Sequence, residues 1–185
     1  IRRQRQMCIR DSRSHRGVIA VSGPDAPVFL NNLLSQKLDD APDGFAASAL
    51  DLNVQGRILH HAGVARAGDV FYLDVPSYQA ESLRDFLHKM VFWSDVQIET
   101  PDLALLTLLG PSAATVDGAV FTRQIPNFGG VHRTDIAVER ERIDDTVSAY
   151  PLSGLMAFTA FRVAAGEPEQ RADLDERSIP HEAPR

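Results

Sequence analysis

The sequence predicts an α+β protein in which helices pack against one face of a mainly antiparallel sheet. Short apolar segments with alternate spacing lie between turns rich in Gly, Pro and Asp, as the strands of such a sheet do. Other segments carry apolar residues at helical spacing. In the first hundred residues the predicted order is strand, helix, three strands, helix, strand, which favours this fold class.

Turn motifs delimit the elements of this first part. Gly23-Pro24-Asp25 ends the first strand, and Asn53-Val54-Gln55-Gly56 is a hairpin loop in which the glycine can take a positive φ. Leu83 and Leu87 lie at helical spacing in the second helix, which begins at Pro76 and Ser77. The predicted strands are 18–22, 46–52, 57–65, 70–75 and 96–98, and the first predicted helix is 25–36.

A second set of elements follows Pro101 and Asp102. The continuous apolar run LALLTLL is short enough for a buried strand, and Gly166 and Pro168 are typical of a helix end. The chain after Pro168 is polar, and we expect no closing element there. The predicted elements are a strand at 103–109, a short helix from 110–112, a loop at 127–130, a strand at 131–138 and helices at 139–149 and 155–165.

These patterns predict a first αβ subdomain at 13–100 and a second at 101–185, which is incomplete at its C-terminal end. Residues 1–12 stand apart, because Arg5–Ser12 reads RQMCIRDS and resembles translated sequencing-adapter sequence. We expect them to be non-native or, alternatively, a native disordered tail. In either case Cys8 is a poor candidate for a catalytic thiol.

Composition excludes several classes of protein. Of the 185 residues 44% are hydrophobic and 24% charged, with a net charge of −6, which fits a globular chain and disfavours nucleic acid as a partner. No apolar stretch approaches the roughly 20 residues that cross a bilayer, so we expect no membrane association and a cytoplasmic location. The adjacent His60 and His61 point to opposite faces of a strand and cannot chelate one metal together, and we predict no metal site.

Five stretches in the same order resemble the folate-binding proteins related to the glycine-cleavage T-protein, an aminomethyltransferase. The last of them resembles the YgfZ branch of that family in its D-x-x-x-I-P-x-E-A pattern. The stretches are VSGPDAPVFLNNLLSQKL (21–38), LDLNVQGRIL (50–59), ALLTLLGPSAATV (104–116), FRVAAG (161–166) and DERSIPHEA (175–183).

The resemblance implies a T-protein N-terminal-like fold with ferredoxin-like elements and a tetrahydrofolate ligand held in a central hollow. For YgfZ-like members it implies a folate-binding accessory protein, not a classical enzyme, whose partners are iron–sulfur proteins or their assembly and repair machinery. Two alternatives stay open: an aminomethyltransferase of the glycine cleavage system, and a non-catalytic protein-interaction module on the same fold.

Two departures from the T-protein favour the YgfZ branch, and one of them is that its Y-T-G-E segment, which supplies a second carboxylate to folate, has no match between Gly129 and Val138. The T-protein has an acidic residue a few positions after the hairpin glycine, where this chain has His60 and His61. A histidine can act as a base but supplies no fixed negative charge. The cysteine motif K-G-C-Y-x-G-Q-E of the YgfZ branch follows the I-P-x-E-A stretch, and we expect this chain to be truncated before it.

The catalytic residues are unknown, but tetrahydrofolate needs an aromatic or apolar wall, a few aimed polar groups and a cation. Arg162 matches the arginine of the family's helix end, although an arginine there also suits the helix dipole. Gln55 and Arg57 flank the hairpin glycine, where an ordinary polar turn is the alternative. Tyr72 lies in a strand and is either a ligand wall or core, and Glu182 is either a ligand contact or a surface carboxylate.

Overall fold

A computed structural model describes residues 8–10, 16–110, 112–113, 116–148, 150–153, 155–169, 171–175 and 177–182. The strands of these residues are β1 (Cys8–Arg10), β2 (Arg16–Ser22), β3 (Ala46–Leu52), β4 (Ile58–Ala67), β5 (Val70–Pro76), β6 (Gln97–Glu99), β7 (Leu103–Gly110), β8 (Phe121–Phe128), β9 (Val131–Glu139) and β10 (Leu152–Ser153). The helices are α1 (Ala26–Leu33), α2 (Ser77–Met90), α3 (Ile143–Ser148) and α4 (Leu155–Ala164), with 3-10 turns at Arg140–Arg142 and Pro180–Glu182.

The chain forms two compact units. Unit 1 contains Ile1–His15 and Asp102–Ala165, and unit 2 contains Arg16–Pro101 and Gly166–Arg185. The last twenty positions therefore join the earlier part of the chain, whereas we expected them to continue the subdomain that starts at 101.

Unit 2 is a five-stranded sheet in the order β3-β4-β5-β2-β6 with α1 and α2 on one face. All the strand pairs are antiparallel. Leu30 of α1 and Leu83 of α2 are fully buried against strand residues such as Val64 and Leu73. Successive side chains of a strand point to opposite faces, so Val64 and Leu73 point to the helices. A two-residue apolar period in the sequence therefore predicts which strand residues are in this core.

The C-terminal part of unit 2 returns to the β3–β4 hairpin. The backbone N–H of Ile58 donates to the carbonyl of Ser178 at 3.0 Å. Leu174 is buried with Ile58, and Leu50 and Leu52 pack against them. This apolar contact is the closing element that the polar composition after Pro168 did not lead us to expect.

Unit 1 is a five-stranded sheet in the order β10-β1-β7-β9-β8. Its pairs are antiparallel except β1–β10, which is parallel. Leu106 and Leu108 of β7 and Ile136 of β9 form a core on one face, and Ile143 of α3 packs against it. The α+β class with antiparallel sheets and packed helices is thus confirmed.

The structure also differs from the sequence predictions within unit 1. Cys8–Arg10, inside the stretch we expected to be non-native or disordered, pairs with β7 and β10. Phe121–Phe128 is a strand that the patterning did not indicate, and it includes the first part of the predicted loop at 127–130. Residues 111, 114 and 115 of the short helix expected from 110–112 lie outside the described residues, and 112–113 and 116–120 are not helical.

Among the described residues, no helix has both the length and the apolar character that a membrane-crossing segment requires.

Candidate functional site

Asn53 organises the β3–β4 hairpin loop. Its side-chain Oδ1 accepts hydrogen bonds from the backbone N–H groups of Gln55 and Arg57, both at 2.9 Å. Gly56 takes φ +75°, which permits the tight turn, and its N–H donates to the carbonyl of Asn53 at 2.9 Å. The side chains of Gln55 and Arg57 are exposed. The loop therefore presents one amide and one guanidinium to solvent on an ordered backbone.

Tyr72 lies on β5 with small neighbours on both sides. It is opposite Ala20 of β2 and Ala65 of β4 and is half-buried. Because Phe71 and Leu73 belong to the core under the helices, Tyr72 points to the opposite face. Its partner Ala65 is seven residues from Ile58, the first residue of β4, which is about 23 Å along the strand. Tyr72 and the hairpin loop are therefore well separated.

Arg162 lies in the last turn of α4 and is buried, with 6% exposure. Phe158 is one turn earlier on the same helix face and is equally buried. The guanidinium of Arg133 on β9 lies 5.1 Å from the centre of the Phe158 ring. This contact is a cation–π arrangement. In unit 1, the predicted ligand residue Arg162 is thus one helical turn from Phe158, whose ring already contacts the guanidinium of Arg133.

Arg133 belongs to a buried charge cluster that is centred on Asp135 of the same strand. The Asp135 carboxylate is fully buried and accepts from Thr107 at 2.7 Å and from Arg123 at 2.9 Å. Arg133 donates to both carboxylate oxygens of Asp135 at 3.3 Å. Sequence reasoning missed these residues, although the i, i+2 spacing of Arg133 and Asp135 put them on one face of a predicted strand.

The five predicted ligand residues divide between the units. Arg162 belongs to unit 1, whereas Gln55, Arg57, Tyr72 and Glu182 belong to unit 2. Glu182 lies in the 3-10 turn Pro180–Glu182, and its side chain is outside the described residues. The roles of these residues stay predictions.

The two adjacent histidines lie on opposite faces of β4. His60 is 8% exposed, and its two ring nitrogens face Asp51 and Ser82. His61 is half-buried and is opposite Leu50 in the β3–β4 register. Across the described residues, no three His, Cys, Asp or Glu side chains come together in a way that could hold a metal.

A polar cleft of about 530 Å³ lies in the C-terminal part of unit 2 and is lined by 171–175 and 177–178. Hydrogen bonds from the Arg177 backbone N–H and then from Ser178 lower the pKa of the Asp175 carboxyl. Arg171 lies 3.9 Å over the ring of Tyr78. Burial raises the pKa of Tyr78, against the opposing charge of Arg171. None of the five predicted ligand residues lines this cleft.

Comparison with known proteins identifies similar sequences and folds. The profile of the family described as "GCVT N-terminal domain" matches residues 4–143. A protein of Natronomonas pharaonis named "Probable aminomethyltransferase" is 32% identical over 136 residues, which are 68% of this chain and 37% of that protein.

A solved structure is similar over almost the whole chain. The crystal structure of the glycine cleavage system aminomethyltransferase T from Bartonella henselae superposes with a TM-score of 0.78 at 20% identity. The superposition covers 95% of this chain and 55% of that one. The chain therefore spans about half the length of the solved protein and 37% of the curated relative.

Proposed function

The chain belongs to the family of the GCVT N-terminal domain, and from this premise we propose that it binds tetrahydrofolate as an accessory protein of iron–sulfur cluster assembly or repair. The observation that carries folate binding is the pair of Phe158 and Arg162 on one face of α4, both 6% exposed. A planar ring and a guanidinium one helical turn apart suit a ligand that combines flat rings with an anionic tail.

The choice of the accessory role rests on the chemistry of β4. In aminomethyl transfer a carboxylate near the hairpin glycine would accept a proton or stabilise a developing cation. His60 and His61 occupy the corresponding place in this chain, and a neutral imidazole supplies no fixed negative charge. Of the two, His60 is engaged with Asp51 and Ser82.

Aminomethyl transfer to tetrahydrofolate is the second candidate. It is favoured by the names of the two relatives, "Probable aminomethyltransferase" and glycine cleavage system aminomethyltransferase T. Histidine acting as a base would replace the carboxylate in that reaction.

Calorimetric titration of the chain with tetrahydrofolate tests folate binding. We expect saturable binding at one site. The absence of binding heat at millimolar folate, together with no binding by a second method, would reject it. A reconstituted glycine-cleavage reaction separates the two candidates, because turnover with this chain as its T component would favour the aminomethyltransferase. A K-G-C-Y-like run in the gene downstream of Arg185 would favour the accessory role.

A further inference from the structure

Three polar residues form a continuous hydrogen-bonded line on the helix face of unit 2. Asp51 near the end of β3 and His60 of β4 are directly opposite each other in the strand register. The Nδ1 atom of His60 is 2.7 Å from Oδ2 of Asp51, and its Nε2 atom is 2.8 Å from Oγ of Ser82 on α2. Asp51 is 2% exposed and His60 8%, whereas Ser82 is exposed.

The carboxylate sets the tautomer of the imidazole. An ionised Asp51 only accepts hydrogen bonds, so Nδ1 of His60 carries the proton in that contact. In the neutral ring Nε2 is then an acceptor, and it faces the Ser82 hydroxyl. The same hydroxyl lies 3.0 Å from a second acceptor, the Gln79 carbonyl, which is farther away than the imidazole.

Packing of α2 on the sheet holds the line in place. Leu83 and Leu87 are fully buried in the core of unit 2. The buried Gln79 donates its Nε2–H to the carbonyl of Leu59 at 3.1 Å, next to His60. A hydrogen bond from a side-chain amide therefore joins the helix to β4 about one turn before Ser82, and it limits the movement of the hydroxyl relative to the imidazole.

We propose that Asp51, His60 and Ser82 form a nucleophilic site in which His60 is the general base, Ser82 the nucleophile and Asp51 the residue that orients the ring. A buried carboxylate, an imidazole and the hydroxyl of an exposed residue at these distances have the same relationship as the members of a Ser-His-Asp triad. The substrate class is small activated esters. Ser82 is exposed on α2, so a small ester can approach it from solvent without first entering a deep pocket.

The reaction is acyl transfer to serine. Oγ of Ser82 forms a bond to the ester carbonyl carbon, and its proton goes to Nε2 of His60. The ester C–O bond breaks, and the leaving oxygen takes the proton from His60, which gives an alcohol and an acyl-serine. Water then repeats the sequence on the acyl-serine and releases a carboxylic acid.

The expected reaction is slow compared with that of dedicated hydrolases. Ser82 is the sixth residue of α2, so its backbone N–H lies beyond the first turn and is used within the helix. An oxyanion donor is worth about 100- to 1,000-fold in rate, and this position of the serine does not supply one. Acylation is therefore expected to be easier to detect than turnover.

A fluorophosphonate probe tests the proposal on the intact chain, with intact-mass detection and peptide mapping. We expect one adduct per chain, on Ser82, with loss of fluoride. The adduct should vanish in Ser82→Ala, and its rate should fall about 100-fold in His60→Gln, the lower end of the usual contribution of a general base. Ser77→Ala, at an exposed serine of the same helix, should label at the wild-type rate.

Peptide mapping of the labelled wild-type chain identifies the modified residue directly, so the proposal can be tested even where a variant does not fold. Labelling at another residue, labelling of Ser82 at the same rate in folded His60→Gln and Asp51→Asn, or no labelling at millimolar probe would each overturn the proposal. The proposed nucleophilic site does not rest on folate binding, because none of its three residues is among the predicted folate ligands.

Discussion

Arg16 and Asp74 form a buried ion pair between β2 and β5. The Arg16 Nε–H donates to the Asp74 carboxylate at 2.5 Å, and Nη2 donates to the Asp74 carbonyl at 2.6 Å. Asp74 is fully buried and Arg16 is 8% exposed. The two residues are diagonal neighbours across the strand pair, because Arg16 is opposite Pro76 and Val18 is opposite Asp74.

Removal of one partner of this pair should destabilise unit 2 strongly. Arg16→Met leaves a buried carboxylate without its guanidinium, and we expect the free energy of unfolding to fall by about 3 kcal/mol. Urea unfolding followed by circular dichroism measures it. Lys37→Met is the matched control, since Lys37 and Asp40 form a solvent-exposed pair and its loss should not be detectable. Equal effects of the two substitutions would contradict the prediction.

Leu83 packs α2 against the sheet. It is fully buried in the core of unit 2, and Leu83→Ala should lower the free energy of unfolding by about 3 kcal/mol through lost transfer energy and a residual cavity. Val28→Ala, at a 54% exposed position of α1, should change it by no more than about 0.5 kcal/mol. A small effect at Leu83 would mean that α2 does not pack as described.

Gly23 holds a turn that an added side chain would disrupt. It has φ +111°, and a Cβ atom there would lie 2.4 Å from the carbonyl oxygen of Asp95. Gly44 also has a positive φ of +77° but has open space around it. Gly44→Ala should therefore cost about 1 kcal/mol from the backbone alone. Gly23→Ala should cost about 1–3 kcal/mol more because of the overlap. Similar melting temperatures for the two variants would refute the steric argument.

The contact between the C-terminal segment and β4 should weaken in acid. The pKa of Asp175 is lowered from 3.8, so its stabilising effect is present above that pH and is lost as the pH falls through the folded-state pKa. Hydrogen exchange of the Ile58 amide, which donates to Ser178, reports the contact. Protection, corrected for intrinsic exchange, should fall below about pH 4 in the wild type and stay level in Asp175→Asn. The same acid response in both proteins would exclude Asp175 as its cause.

Arg162 should contribute to tetrahydrofolate binding through its guanidinium. If it pairs with an anionic group, Arg162→Ala should raise the dissociation constant about 10- to 100-fold. Arg162→Lys should have an intermediate effect, because it keeps the charge but not the planar fork. Arg84→Ala, which removes an arginine paired with Asp85 on the surface, is the control. An unchanged dissociation constant in a folded Arg162→Ala protein would exclude the role.

Local patterning predicted most of the elements that build the two sheets. The alternation in β4, β5 and β9 and the helical spacing in α1, α2 and α4 are visible in the sequence, because each reports which side chains face an apolar core. The same alternation put His60 and His61 on opposite faces of one strand, as the structure has them.

The strand β8 could not be predicted in this way. Its sequence FTRQIPNF has Arg123 at a buried position and Pro126 within it, both of which argue against an interior strand. Pairing with β9 places Arg123 against Asp135, and this contact offsets the cost of burying the guanidinium. Asp135 is twelve residues away in the chain and on another strand, so the alternation within 121–128 does not reveal this contact.

The sequence by itself determined the fold class, the family and the faces of the strands, since these follow from local periodicity and from short stretches that resemble the family and occur in the same order. Only the tertiary structure decided which polar side chains meet. Asp51, His60 and Ser82 come from two strands and a helix, and Gly166–Arg185 joins Arg16–Pro101 in unit 2. Contacts of this kind depend on the register of strands and the placement of helices, which many distant residues set together.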